Sequence, residues 1–123
     1  MSRPIKKIID RAALRENLYL IKNKLKGKFI WAVVKANAYG HGLKEIIDCL
    51  NIADGLACIS PDEAMNIRDL GWKKEILLLE GFFDQMDLLK IIQSDSIPVI
   101  CTEEQVKILI NSELKSRIPV YMN

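Results

Sequence analysis

Five short apolar runs recur along the 123-residue chain, and segments of helical period separate them. They occupy residues 30–34, 56–59, 76–79, 97–100 and 118–121. The isoleucines that open the last three, Ile76, Ile97 and Ile118, stand 21 residues apart. Strands alternating with helices at a fixed spacing predict parallel βα units joined by right-handed crossovers, an α/β fold. Continuous apolar runs, rather than alternating ones, suit strands covered on both faces.

The intervening segments carry helix signals of their own. Asp10 is placed to cap a helix whose apolar stripe is Leu14, Leu18, Ile21 and Leu25, closed by Gly27. Ser60-Pro61-Asp62-Glu63 combines an N-cap serine, a proline at the first helical position and a glutamate at N3. That combination satisfies two otherwise orphaned backbone donors, and its helix is expected to stop near Leu70, before Gly71. Thr102-Glu103-Glu104-Gln105 repeats the logic, with Ile108 and Leu109 on the buried side. Leu43, Ile46, Ile47 and Leu50 form one apolar face, and Leu88, Leu89, Ile91 and Ile92 another.

Two architectures accommodate five parallel strands: a complete doubly wound sheet of flavodoxin type, or the N-terminal part of an eight-stranded (β/α)8 TIM-type barrel. The last run, 118–121, has no helix after it, which favours the barrel. The chain is therefore expected to be one incomplete domain over residues 1–123, an N-terminal fragment.

Eighteen basic and sixteen acidic residues are interspersed and leave a net charge of +2. That balance gives no reason to expect nucleic acid or an anionic membrane as a partner. No apolar run approaches the roughly 20 residues of a membrane span, and Met1-Ser2-Arg3-Pro4 opens no signal-peptide core. Cys49, Cys58 and Cys101 are scattered, without the spacing of a metal site. They read as reduced thiols of a cytoplasmic protein, with Cys58 and Cys101 as small core residues.

The first strand ends on a lysine. Lys35 follows six apolar residues and precedes Ala-Asn-Ala-Tyr-Gly-His-Gly. A desolvated lysine amine gives up its proton more readily and becomes the nucleophile that Schiff-base chemistry needs. The same position also suits a lysine that merely reaches out of a strand end. Asn37, Gly40 and Gly42 tolerate positive φ, so a sharp turn there would bring backbone close to a ligand. Tyr39 adds a hydroxyl and His41 an imidazole.

The ungapped stretch Val-Val-Lys-Ala-Asn-Ala-Tyr-Gly-His-Gly, residues 33–42, resembles the pyridoxal-phosphate lysine motif of alanine racemases. The likeness extends along essentially the whole chain. Arg3-Pro4-Ile5 and Ile9 to Leu14 resemble that family's N-terminal strand and helix. Ser60 to Ala64, Ile67 to Gly71 and Leu77 to Phe83 resemble later stretches of it. The resemblance implies that Lys35 bonds covalently to pyridoxal 5'-phosphate and that Tyr39 binds its phosphate. Val33 and Leu79, at strand ends, would be apolar walls of the cofactor pocket, although ordinary barrel core explains them equally well. For Asn37 and His41 it assigns no chemical role.

The implied reaction is interconversion of L- and D-alanine, an isomerase activity serving D-alanine supply for peptidoglycan or alanine catabolism. Lys35 would act as acid and base on one face of Cα. The second group is implied to be a tyrosine from the C-terminal β-domain of the partner subunit in a homodimer. Residues 1–123 include no such domain, so the chain alone is expected to be inactive. Two other readings stand beside this one: a pyridoxal-phosphate homeostasis protein on a related barrel, and a non-catalytic racemase remnant.

Overall fold

The computed structural model describes residues 3–123. Residues 3–10 form no helix or strand and lead into α1, Arg11–Lys24. Asp10 caps it, its Oδ1 accepting the Ala13 N–H at 2.9 Å, as expected from the sequence. The apolar stripe is buried only in part. Leu18 is buried and Leu14 packs on the core, whereas Ile21 and Leu25 are about half exposed.

Strands β1 (Trp31–Val33), β2 (Gly55–Cys58), β3 (Glu75–Leu78), β4 (Ile97–Ile100) and β5 (Tyr121–Met122) form one sheet. Every neighbouring pair is parallel, and the spatial order is β1-β2-β3-β4-β5. A doubly wound sheet of flavodoxin type would place its first strand between two others. The sequential order instead follows from one crossover after another in the same direction, as in the first five units of a (β/α)8 barrel. The crossovers carry α2 (Leu43–Ile46), which runs into a 3-10 turn at Ile47–Leu50, then α3 (Pro61–Asp69), α4 (Gln85–Ser94) and α5 (Glu103–Asn111).

Both capping boxes form. Ser60 Oγ accepts from the Glu63 N–H, and Glu63 returns the bond to the Ser60 N–H. Thr102 and Gln105 do the same at the start of α5. On α4 only half of the expected face is inside: Leu88 and Ile91 are buried, while Leu89 and Ile92 point outward. One residue of helix is a rotation of about 100°, so the four cannot share one narrow stripe.

The strands are buried on one face more than the other. Ile30 and Val34 beside β1, with Leu56, Cys58, Ile76, Leu78 and Ile100, form the core against the helices. On the opposite face Trp31, Ile97 and Val99 are half-buried, and Val33 and Tyr121 are exposed. The first strand is thus not covered on both sides as its sequence suggested, because its second face lines the concave interior of the curving sheet. Cys101 is likewise exposed just past β4, not in the core. Cys58 is fully buried in β2, and burial pushes its thiol up to about 12. Among the described residues no helix is long and apolar enough to cross a membrane, and no cluster has the make-up of a metal site.

Candidate functional site

The C-terminal end of β1 is where the backbone departs most from ordinary geometry. The ladder extends one bond beyond the strand, from the Val34 N–H to the Ala57 carbonyl at 2.8 Å, and Lys35 is the next residue. From there Ala36, Asn37, Ala38 and Tyr39 all have positive φ, at 52°, 55°, 56° and 54°. The sequence points to Asn37, Gly40 and Gly42 as the tolerant positions. All three do have positive φ, but the chain continues through two alanines and a tyrosine as well, forming a full left-handed helical turn. Each left-handed L-residue costs roughly 1–2 kcal/mol against its right-handed form, so the turn requires external support.

That support is visible bond by bond. Within the turn the N–H groups of Ala38 and Gly40 donate to the carbonyls of Val34 and Ala36, at 2.8 and 3.0 Å. Asn37 Oδ1 accepts the Leu43 N–H at 2.9 Å, joining the turn to the start of α2. His41 Nδ1 lies 2.9 Å from the Ala38 carbonyl, and since a carbonyl only accepts, Nδ1 is the protonated nitrogen. Asn37 and His41, without a chemical role from sequence, are braces of the turn.

Two further braces come from distant segments. Lys7 Nζ donates to the carbonyls of Gly40 and His41 at 3.1 and 2.9 Å. Glu63 Oε1 accepts the Ala36 N–H at 2.9 Å, while its Oε2 accepts the N–H groups of Ile59 and Ser60 at 2.8 and 3.0 Å. Burial works against ionisation of Glu63, but the hydrogen bonds from Ser60, Ile59 and Ala36 outweigh it and hold its pKa below the usual value. Sequence reasoning finds Glu63 as a helix cap only. Its contact to Ala36 depends on β1 and β2 being neighbours, which local pattern does not reveal.

The turn presents two of the predicted side chains together. Lys35 Nζ lies 5.9 Å from the centroid of the Tyr39 ring, within cation–π range. Lys35 is half-buried, and among the described residues no carboxylate forms an ion pair with it. Val33 is exposed on the concave face of the sheet, and the cavity of about 470 Å³ that it borders lies on the helix side, between α1 and Ala32, Val34, Ala38 and Tyr39. Leu79 stands two strands away. It follows β3, donates its N–H to the Cys58 carbonyl at 2.8 Å, is half-buried, and does not line that cavity. An unpaired primary amine beside a phenol, on a braced turn at a strand end, is a donor set that fits an aldehyde carrying a phosphate.

Residues 9–123 match the family described as alanine racemase, N-terminal domain. The chain is 47% identical over 122 residues to the alanine racemase of Janthinobacterium sp. (strain Marseille), covering 99% of this chain and 34% of that protein. It is 42% identical over 122 residues to the alanine racemase of Erwinia tasmaniensis, with the same coverage of 99% and 34%. The chain thus spans about a third of the length of the curated relatives it matches. Among solved structures, the biosynthetic alanine racemase of Pseudomonas aeruginosa superposes with a TM-score of 0.85 at 36% identity, over 91% of this chain and 32% of that one.

Proposed function

The chain belongs to the family of the alanine racemase N-terminal domain, and from that membership we propose that it carries the cofactor lysine of a pyridoxal-phosphate-dependent alanine racemase. The observation that carries this reading is the placement of Lys35. Its amine, unpaired among the described residues, stands beside Tyr39 at the C-terminal end of β1, the end at which barrel enzymes gather their chemistry.

In this reading Lys35 bonds to the cofactor through its amine, and Tyr39 donates its hydroxyl to the phosphate. Val33 and Leu79 are apolar walls. When bound, pyridoxal 5'-phosphate withdraws electron density from Cα of the substrate amino acid, so that its hydrogen leaves more readily as a proton. Released when the substrate's amine takes its place on the cofactor, the Lys35 amine would accept that proton on one face of Cα and return it as a general acid. The opposite face is served by a second acid-base group from the partner subunit of a homodimer. Residues 1–123 then form the lysine-bearing part of a larger barrel and racemise no alanine unaided. The whole protein interconverts L- and D-alanine in the cytoplasm, for D-alanine supply or alanine catabolism.

The test is covalent trapping. The chain is incubated with pyridoxal 5'-phosphate, reduced with borohydride and mapped by peptide mass. The expected label is on Lys35, and Lys35→Arg abolishes it because a guanidinium stays protonated. Label on other lysines with none on Lys35 refutes the assignment.

A further inference from the structure

We propose that Glu63 is a positioning residue for Lys35: from the helix of the next βα unit it fixes the Lys35–Ala36 peptide by accepting the Ala36 N–H. The inference rests on Lys35 being the cofactor-bearing lysine.

Ala36 is the first left-handed residue of the turn, and the N–H groups at the start of any helical turn have no acceptor within it. The Ala36 N–H would be orphaned, and Glu63 Oε1 receives it at 2.9 Å. The other oxygen is held by the N–H groups of Ile59 and Ser60, so the carboxylate is oriented from three sides. The peptide it grips contains the Lys35 carbonyl carbon. Fixing that plane fixes ψ of Lys35, and with it the direction in which the flexible four-carbon stem leaves the backbone. Without the grip, the backbone from Ala36 onward, next to Lys35, is free to relax toward less costly right-handed conformations.

The second capping box of the chain shows why the residue must be a carboxylate. Gln105 occupies the equivalent place at the start of α5 and also reaches back to the preceding βα loop. Its Oε1 accepts the N–H groups of Cys101 and Thr102, and its Nε2 donates to the carbonyls of Glu80 and Phe82, at 2.8 and 3.0 Å. An amide therefore serves a loop that presents carbonyls. The loop after β1 presents an N–H, and only a residue with two accepting oxygens can hold it while still capping its helix.

The distinguishing variants are Glu63→Gln and Ser60→Ala in the full chain. Glutamine keeps one oxygen for Ile59 and Ser60 but turns a donor toward Ala36. Ser60→Ala removes the other half of the capping box and leaves the Ala36 bond intact. Two quantities are measured: hydrogen exchange of the Ala36 amide by NMR, and the fraction of Lys35 trapped by borohydride at sub-saturating pyridoxal 5'-phosphate. In Glu63→Gln the Ala36 amide is expected to exchange about tenfold faster, and Lys35 trapping to fall by about the same factor, the scale of one charge-assisted hydrogen bond. Ser60→Ala is expected to lower the melting temperature while leaving both Lys35 readouts within about twofold. Should Glu63→Gln not fold, Glu63→Asp takes its place, keeping the charge at the helix start while its side chain is too short to reach both sides.

Unchanged Ala36 exchange and Lys35 trapping, or equal changes in Ser60→Ala, would overturn the proposal and leave Glu63 as a helix cap. A wild-type chain that traps nothing on Lys35, while its Ala36 amide still responds to Glu63, separates the two claims. The cofactor reading then fails and the grip on the lysine backbone stands.

Discussion

The ammonium of Lys7 donates to the carbonyl of His41 at 2.9 Å, so a residue upstream of the first helix closes the far end of the left-handed turn. Its second bond, to Gly40 at 3.1 Å, places a positive charge over two carbonyls that point out of the turn. Glu63 takes the N–H at the start of the turn, and Lys7 takes the carbonyls at its end.

Lys7→Met keeps most of the apolar stem and removes the donor. Because Lys7 is exposed, global stability is expected to change by less than about 1 kcal/mol. The amides of Gly40 and Gly42, which close the turn onto Ala36 and Asn37, should exchange several-fold faster. Exchange rates equal to those of the wild type would show that Lys7 does not restrain the turn in solution.

Gly55 supports the first strand in a different way. It pairs with Trp31 across the parallel ladder, and the indole lies over it on the concave face. A Cβ at position 55 would overlap the indole ring and stand 3.1 Å from the Glu75 carbonyl. The ring is held between Phe29, at a centroid distance of 4.7 Å, and Tyr121, at 6.4 Å, so it has little room to move aside. Gly55→Ala is expected to destabilise the fold by about 1–3 kcal/mol, read as a lower denaturant midpoint with an unchanged slope. A midpoint equal to the wild type would show that the indole moves aside freely.

The βα alternation was legible because each strand is a continuous apolar run and each helix opens on a local cap. Asp10, Ser60 and Thr102 cap as the pattern predicts. Boundaries of the first three strands shifted by one residue, and the fifth strand is Tyr121–Met122 rather than 118–121. The first three strands begin or end on Trp31, Gly55 and Glu75 rather than on the apolar neighbours, since ladder bonds and not hydrophobicity set strand ends. Lys35 and Tyr39 were legible as a motif, and the structure sets them side by side. The left-handed turn was not legible, because alanine carries no mark of positive φ. The bonds from Lys7 and Glu63 that support it span 34 and 27 residues, beyond any local pattern.

Two carboxylates tie stability to pH. Asp54 Oδ2 accepts Lys22 Nζ at 2.6 Å and the Ile30 N–H at 2.8 Å, and these bonds hold its pKa below the ordinary 3.8. Despite its partial burial, Glu63 is held below 4.5 by its three backbone donors. A carboxylate whose folded pKa lies below its unfolded one contributes its full stability above the unfolded value and loses it as pH falls through the folded one. Stability from these groups should be level above about pH 5.5 and decline below it. Urea unfolding at a series of pH values measures this, and Asp54→Asn should make the decline shallower. A decline unchanged in Asp54→Asn would assign the acid sensitivity to other groups.

The hand of the turn makes a prediction of sign. In a right-handed helix, Ala→Gly costs about 0.5–1 kcal/mol, because glycine gains more freedom in the unfolded chain. Ala36 has φ 52° and ψ 49°, where its Cβ crowds the following carbonyl. Removing that Cβ relieves roughly 1–2 kcal/mol of strain, which offsets the entropic loss or exceeds it. The side chain is exposed, so no packing is lost with it. Ala36→Gly is therefore expected to leave stability unchanged or raise it by up to about 1 kcal/mol. The matching substitution in ordinary helix, Ala12→Gly within α1, should lower it. Thermal or chemical unfolding of both variants gives the comparison. A loss at position 36 as large as that at position 12 would mean that the turn is not left-handed in solution.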